Sequence, residues 1–303
     1  MSKAPNINKN NVSEKERVLE LARRDIIAFG QLFLPEDFMK STPAAYHYEL
    51  NDLLLDNTKK RNCIILPRGH SKSTLAKTAL LYHLYFNPEG KKEFIAWVAE
   101  EQSQAIDHIK YIQNHIEVNP ALNYYFGDIR GTKWTEKEFT TSKGDRVIAK
   151  GTSQRLRGRS QLGLRYTKII LDDFESELNT KTPDRRREIK EWVMSTVEPA
   201  LENSAENEGS IWLIGTIVHY DSFLQSIYDG YLEAIRDKRK YAWDVIYHKA
   251  IDSDGNVLWG SYFSKEKLGD IRKRFEDVGL THKFAQEYLN EARDLENAKF
   301  KTE

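Results

Sequence analysis

Residues 62–77, reading NCIILPRGHSKSTLAK, constrain the fold more than any other stretch. Cys63, Ile64, Ile65 and Leu66 make a short apolar run of the kind a strand buried on both faces gives. Pro67, Arg68, Gly69, His70 and Ser71 form a tight polar turn, and Lys72, Ser73 and Thr74 open a helical pattern. A strand, a short loop and Lys-Ser at a helix start is the layout of a phosphate-binding loop. Free backbone N–H groups there face an anion, and the helix dipole adds to the attraction. In that layout the residues from Pro67 to Thr74 cradle the phosphates of ATP. Lys72 reaches the β- and γ-phosphates and the Ser73 hydroxyl ligates Mg²⁺. The match to G-x-x-x-x-G-K-[ST] is incomplete, because Leu66 and Ser71 stand at the two glycine positions. Alone, the stretch also fits an ordinary strand-to-helix turn.

A second stretch, roughly a hundred residues on, changes the weight of the first. Residues 166–175 read YTKIILDDFE, where Ile169, Ile170 and Leu171 form a buried strand ending in Asp172 and Asp173. In open α/β sheets, ligands collect at the carboxyl ends of the strands. One carboxylate there can hold Mg²⁺ through water while another orients the attacking water. Carboxylates this close repel one another without a cation. The alternative is that they cap the following helix. Together with Lys72 and Ser73, the pair makes a nucleotide triphosphatase the leading expectation.

The rest of the chain supplies the frame. Residues 1–12 are polar and expected to be a disordered tail, and Ser13 with Glu16 forms a capping box. A helix follows Thr42-Pro43, carrying Tyr46 and His47, and Tyr46 either stacks on adenine or belongs to the core. A strand over 94–99 and a helix over 102–118, with Ile106, Ile109, Ile112 and Ile116 in phase, continue a strand–helix rhythm. That rhythm means an α/β fold with a mainly parallel sheet flanked by helices. Two β-like runs, 138–141 and 146–149, flank Lys143-Gly144-Asp145 as a hairpin. Residues 151–165, GTSQRLRGRSQLGLR, place Arg155, Arg157, Arg159 and Arg165 among small residues, a loop able to offer a cation to phosphate. Arg185, Arg186 and Arg187 are read as a solvated helix face, and Asp221 as a helix cap. The strand over 210–216 ends in Gly215-Thr216, whose hydroxyl can sense a γ-phosphate or simply turn the chain.

From about residue 237 the composition is more charged, with a hairpin bracketing Asp252-Ser253-Asp254-Gly255 and two amphipathic helices. The expected division is therefore a tail over 1–12, an ATPase domain over 13–236 and a small subdomain over 237–303. Lys plus Arg equal Asp plus Glu at 46 each, so any nucleic-acid surface has to be local. The single cysteine excludes an intrachain disulfide framework, and no apolar run approaches a membrane span or a signal sequence. These features lead us to expect a soluble intracellular protein.

With these motifs in place, the chain resembles the ATPase portion of the large terminase subunit, the DNA-packaging motor of tailed bacteriophages. The resemblance runs from about residue 42 to 300 and rests on PRGHSKST, LRGRSQLGLR, IILDDFE, LIGTIVHYDSF and FAQEYLNE, in that order. It implies a P-loop NTPase of the additional-strand class that couples Mg²⁺-dependent ATP hydrolysis to translocation of double-stranded DNA. By position, Lys72 and Ser73 bind phosphate and Mg²⁺, Asp172 holds the metal, and Thr216 is the coupling residue. Arg68 is the cis-acting arginine, and Arg157, with Arg159 in reserve, is the finger reaching a neighbouring subunit. Asp173 stands at the catalytic-glutamate position. Glu175 follows on the same side if the strand continues, so either can align water. Tyr46-His47 replaces the family's adenine-contacting glutamine. The family further implies a portal protein, a small terminase subunit, a homo-oligomeric ring on the portal, and the cytoplasm of the infected bacterial host. The chain ends about where the family's nuclease domain begins, so no nuclease activity is expected of it. Rival readings are a helicase-like P-loop translocase, a P-loop small-molecule kinase, and a scaffold with a degenerate loop.

Overall fold

The computed structural model describes residues 13–36, 38, 41–88, 90–156, 165–204 and 207–292. The expected tail and the arginines Arg157 and Arg159 lie outside the described residues. Eight strands form one sheet: β1 (Arg61–Ile65), β2 (Phe94–Ala99), β3 (Arg130–Thr135), β4 (Glu138–Thr141), β5 (Arg146–Gly151), β6 (Lys168–Asp172), β7 (Ser210–Gly215) and β8 (Asp244–Tyr247). Their spatial order is β3-β4-β5-β2-β6-β7-β1-β8. From β5 to β8 every neighbouring pair is parallel, and β3 and β4 add an antiparallel edge. β7 lies between β1 and β6, so the strand before the loop and the strand ending in Asp172 are separated by one inserted strand. This is the additional-strand P-loop arrangement.

Alternation along each strand divides the core in two. Ile64, Trp97, Ile170, Trp212 and Ile214 face a layer of helices, α1 (Glu14–Arg24), α2 (Ile26–Phe33), α3 (Ala45–Leu55), α4 (Lys72–Phe86), α5 (Gln102–Val118) and α6 (Pro120–Phe126). Ile65, Val98, Ile169, Leu171, Ile211 and Leu213 face α7 (Pro183–Trp192) and α8 (Phe223–Arg236). Cys63 is buried in this second layer. A satellite core of Ala250, Phe263, Leu268, Ile271 and Phe284 holds α9 (Lys265–Asp277) and α10 (Thr281–Leu289). Burial on both sheet faces explains why these strands read as continuous apolar runs.

Several local expectations change. Residues 243–251 do not form a hairpin strand: β8 leaves at Asp244 to pair with β1, and only an Ile251–Val257 bridge remains of the hairpin. Arg186 is not solvated. It is buried, donating to Asp221 at 2.8 Å and to the Thr180 carbonyl at 2.9 Å. Asp221 is thereby occupied, and Ser222 caps α8 instead. The antiparallel β4–β5 pair is present around residues 143–145, with β3 added outside it.

Candidate active site

β1 ends beside β7, where Leu66 N–H donates to the Gly215 carbonyl at 3.1 Å. The loop that follows turns through two left-handed residues, Gly69 at φ +76° and Ser71 at φ +58°. Ser71 therefore holds the backbone shape that the motif's second glycine normally supplies, at a cost of about 1–2 kcal/mol for a side chain there. Gly69 is needed for a second reason. A Cβ on it would lie 3.1 Å from the Phe263 ring. No side chain caps the start of α4, which leaves that helix N-terminus facing the loop's concavity.

Three strand ends meet at this loop. Lys72 Nζ donates to the Thr216 hydroxyl at 2.9 Å and lies 3.5 Å from the Pro67 carbonyl. The Thr216 hydroxyl in turn donates to the Leu66 carbonyl at 3.0 Å, tying β7's end to the loop's start. The Ser73 hydroxyl donates to Asp172 Oδ1 at 2.9 Å. Asp172 is 1% exposed, and its Oδ2 makes no hydrogen bond. Burial first, then the adjacent Asp173 charge, push the Asp172 carboxyl well up from its usual range. Serine hydroxyl and carboxylate are hard oxygen donors, and a buried oxygen without a partner calls for a cation. The set fits Mg²⁺, which takes one or two carboxylates and completes its shell with water and phosphate oxygens. Among the described residues, no three His, Cys, Asp or Glu side chains converge to hold a metal by themselves.

Asp173 and Glu175 separate. β6 stops at Asp172, and Asp173 adopts φ +45°, so the strand alternation that would align the two carboxylates is broken. Asp173 is exposed to an open cavity of about 360 Å³ lined by the residues from Arg68 to Thr74, Trp259 and Tyr262. Glu175 is buried and accepts from the backbone N–H groups of Phe223 and Leu224 at 2.6 and 3.0 Å. It serves the N-terminus of α8, and burial pushes its pKa up to about 7. The expectation that it aligns water is corrected. So is the base-binding role of Tyr46 and His47. Both rings are in the core, Tyr46 O–H donating to the His70 carbonyl and His47 Nδ1 accepting from Ala44 N–H. His70 is fully buried beside Phe263, so its backbone, not its imidazole, belongs to the loop's working surface.

Arg68 is at the cavity rim with its side chain 73% exposed, paired to Glu287 of α10 at 2.9 Å. Its backbone N–H also donates to the Glu287 carbonyl at 2.8 Å. Of the arginine-rich loop, Arg155 lines a separate, larger cavity of about 610 Å³ that contains none of the residues from Pro67 to Thr74. Arg165 is spent on the Pro199 and Leu201 carbonyls.

No family model and no curated protein matches the sequence. Solved structures do match the fold. The HK97 bacteriophage large terminase superposes with a TM-score of 0.58 over 93% of this chain, at 18% identity. The ATPase domain of the Thermus phage P74-26 large terminase gives 0.55 in a mutant form and 0.51 in a second structure, each over 83% of this chain, at 16% and 15% identity. The fold is that of the large terminase ATPase domains. The chain spans 56% of the HK97 protein but matches 95% and 94% of the two P74-26 ATPase-domain structures.

Four residues at this site escape sequence reasoning. His108 of α5 places Nε2 3.5 Å from Asp172 Oδ2 without a hydrogen bond. Burial lowers its pKa to about 4, leaving it neutral. Glu287, Trp259 and Tyr262 arrive from the far end of the chain. None has a local signal, since each gains its place only when distant elements pack.

Proposed function

We propose that this chain is the ATPase motor of phage DNA packaging, coupling Mg²⁺-dependent ATP hydrolysis to translocation of double-stranded DNA into a procapsid. The observation that carries it is the direct contact of Ser73 with a buried Asp172 whose other oxygen makes no hydrogen bond. A degenerate scaffold has no use for that arrangement. The likeness in fold to large terminases supports the choice of motor over other P-loop enzymes.

The residues divide the work as follows. The loop backbone and the start of α4 receive the phosphates, and Lys72 offers its ammonium to the β- and γ-phosphates. Ser73 and Asp172 would hold Mg²⁺, which would supply positive charge to screen the phosphate oxygens. Asp173, exposed at the cavity, orients the attacking water and takes its proton. Thr216 bridges Lys72 to the carbonyl of Leu66, so a shift of the ammonium toward phosphate is felt directly at the end of β7. Arg68 in cis and Arg157 in trans, with Arg159 in reserve, stabilise the transition-state charge. For Arg68 this requires release from Glu287. The motor acts as a homo-oligomeric ring on a portal protein, supplied with DNA by a small terminase subunit in the cytoplasm of the infected bacterium.

The test is ATP hydrolysis with Mg²⁺, with and without double-stranded DNA, for the wild type and Lys72→Ala. Turnover that DNA stimulates and Lys72→Ala abolishes is the expected result. Turnover indifferent to DNA favours a small-molecule kinase, and absence of nucleotide binding in both proteins overturns the enzyme reading.

A further inference from the structure

We infer that Tyr262 is the platform on which the base of the bound nucleotide stacks. The inference rests on the loop's being a nucleotide site, and it supplies what Tyr46 does not. Tyr46 is 1% exposed and its hydroxyl is committed to the loop backbone, so no base can reach its ring. Tyr262 lines the same cavity as the residues from Arg68 to Thr74, and 41% of it is exposed.

The ring is also held ready. Trp259 stacks on it at 4.6 Å between centroids and 25° between planes. Trp259 is itself fixed by donating its indole N–H to the Thr42 carbonyl at 2.8 Å. The Ser261 hydroxyl donates to the same carbonyl at 2.8 Å, and the Ser41 hydroxyl donates back to the Ser261 carbonyl at 2.7 Å. On the other side Phe263 stacks against His70 at 4.8 Å and 17°. Tyr262 thus sits between residues anchored to the segment before α3 and to the loop itself. A platform fixed in advance costs little ordering on binding. Besides these rings, Lys267 lies over Tyr262 among the described residues, its exposed ammonium 4.5 Å from the centroid and donating to the Tyr262 carbonyl at 3.1 Å. An exposed cation–π contact is weak enough for a base to replace, and the freed ammonium remains close to the anionic ligand.

Stacking acts on the base and not on the phosphates, and this separates the platform from the loop experimentally. Equilibrium binding of ATP and of inorganic tripolyphosphate is measured for the whole chain as wild type, Tyr262→Ala, Tyr262→Phe and Lys72→Ala. Loss of a base-stacking ring is expected to weaken ATP about tenfold or more in Tyr262→Ala. Tripolyphosphate should change by less than about twofold, and Tyr262→Phe should keep the ATP affinity, because the flat ring is retained. Unchanged ATP binding in Tyr262→Ala overturns the proposal, as does equal weakening of both ligands, which marks a general loss of the site. If Lys72→Ala weakens neither ligand, the loop is not the phosphate site, and the nucleotide reading fails before the platform is judged.

Discussion

Two carboxylates two residues apart end in opposite surroundings, and a left-handed residue stands where they part. At φ +45°, Asp173 leaves the strand's pleat and reaches the cavity, while Glu175 turns into the protein to meet α8. Asp173→Asn, which keeps the shape and removes the base, is expected to lower ATP turnover by about a hundredfold or more. Glu175→Gln should retain turnover within a few-fold and instead lower the melting temperature, because an amide serves two N–H donors less well than a carboxylate. A Glu175→Gln protein that folds normally but no longer turns over ATP would reverse the assignment. This pair also shows where the sequence stops being informative. Lys72, Ser73 and Asp172 were legible because each is fixed by its place at the end of a strand or the start of a helix. Strand alternation aligns Asp173 with Glu175 only if the strand continues, and no local pattern signals a left-handed aspartate. Tyr46 was open for a similar reason. An aromatic on an amphipathic helix shows which way it points only once the opposing surface is known.

The loop behaves as one part of a larger clip. Its backbone shape depends on Gly69 and Ser71, and its outer side is held by Phe263 and Glu287, contributed from the far end of the chain. Gly69→Ala imposes both a disfavoured φ and a Cβ 3.1 Å from the Phe263 ring. We expect it to cost about 1–2 kcal/mol of stability and to weaken ATP and tripolyphosphate alike, measured by thermal melts and titration. Full affinity for both ligands would show that the loop does not need this shape. The strand–loop–helix unit itself was readable from residues 62–77, because strand burial and helix start are local properties. The residues that clamp it were not, since Trp259 looks like an ordinary member of a hairpin, Glu287 of an amphipathic helix, and Tyr262 and Phe263 fall between the two elements. The same limit hid the pairing of β8, since its partner β1 lies far away in sequence.

For the whole molecule, buried imidazoles set the response to acid. Burial pushes His47 and His70 down to about 4 and His83 to about 3. Their folded values lie below the unfolded value, so between these limits the unfolded chain binds more protons. The stability they contribute is complete above about pH 6.5 and is lost as the pH falls toward 4. Glu175 runs the other way, favouring the fold below about pH 4.5 and losing that contribution as the pH rises to about 7. Asp172 and His108 shift in opposite senses and act on stability in opposite directions. Three imidazoles outweigh one carboxylate, so the melting temperature should fall steadily from pH 6.5 to pH 4.5. A rise over that interval would show that these histidines are not buried in the neutral form. The sheet order has a consequence for how the protein is made. β1 is flanked by β7 and β8, so neither hydrogen-bonding neighbour exists when it leaves the ribosome. At ordinary elongation rates the wait for residues 210–215 is roughly ten to thirty seconds. Throughout that interval an apolar strand has two open edges, the condition under which nascent chains pair wrongly or recruit chaperones. The loop after β1 can close only after most of the polypeptide has been synthesised.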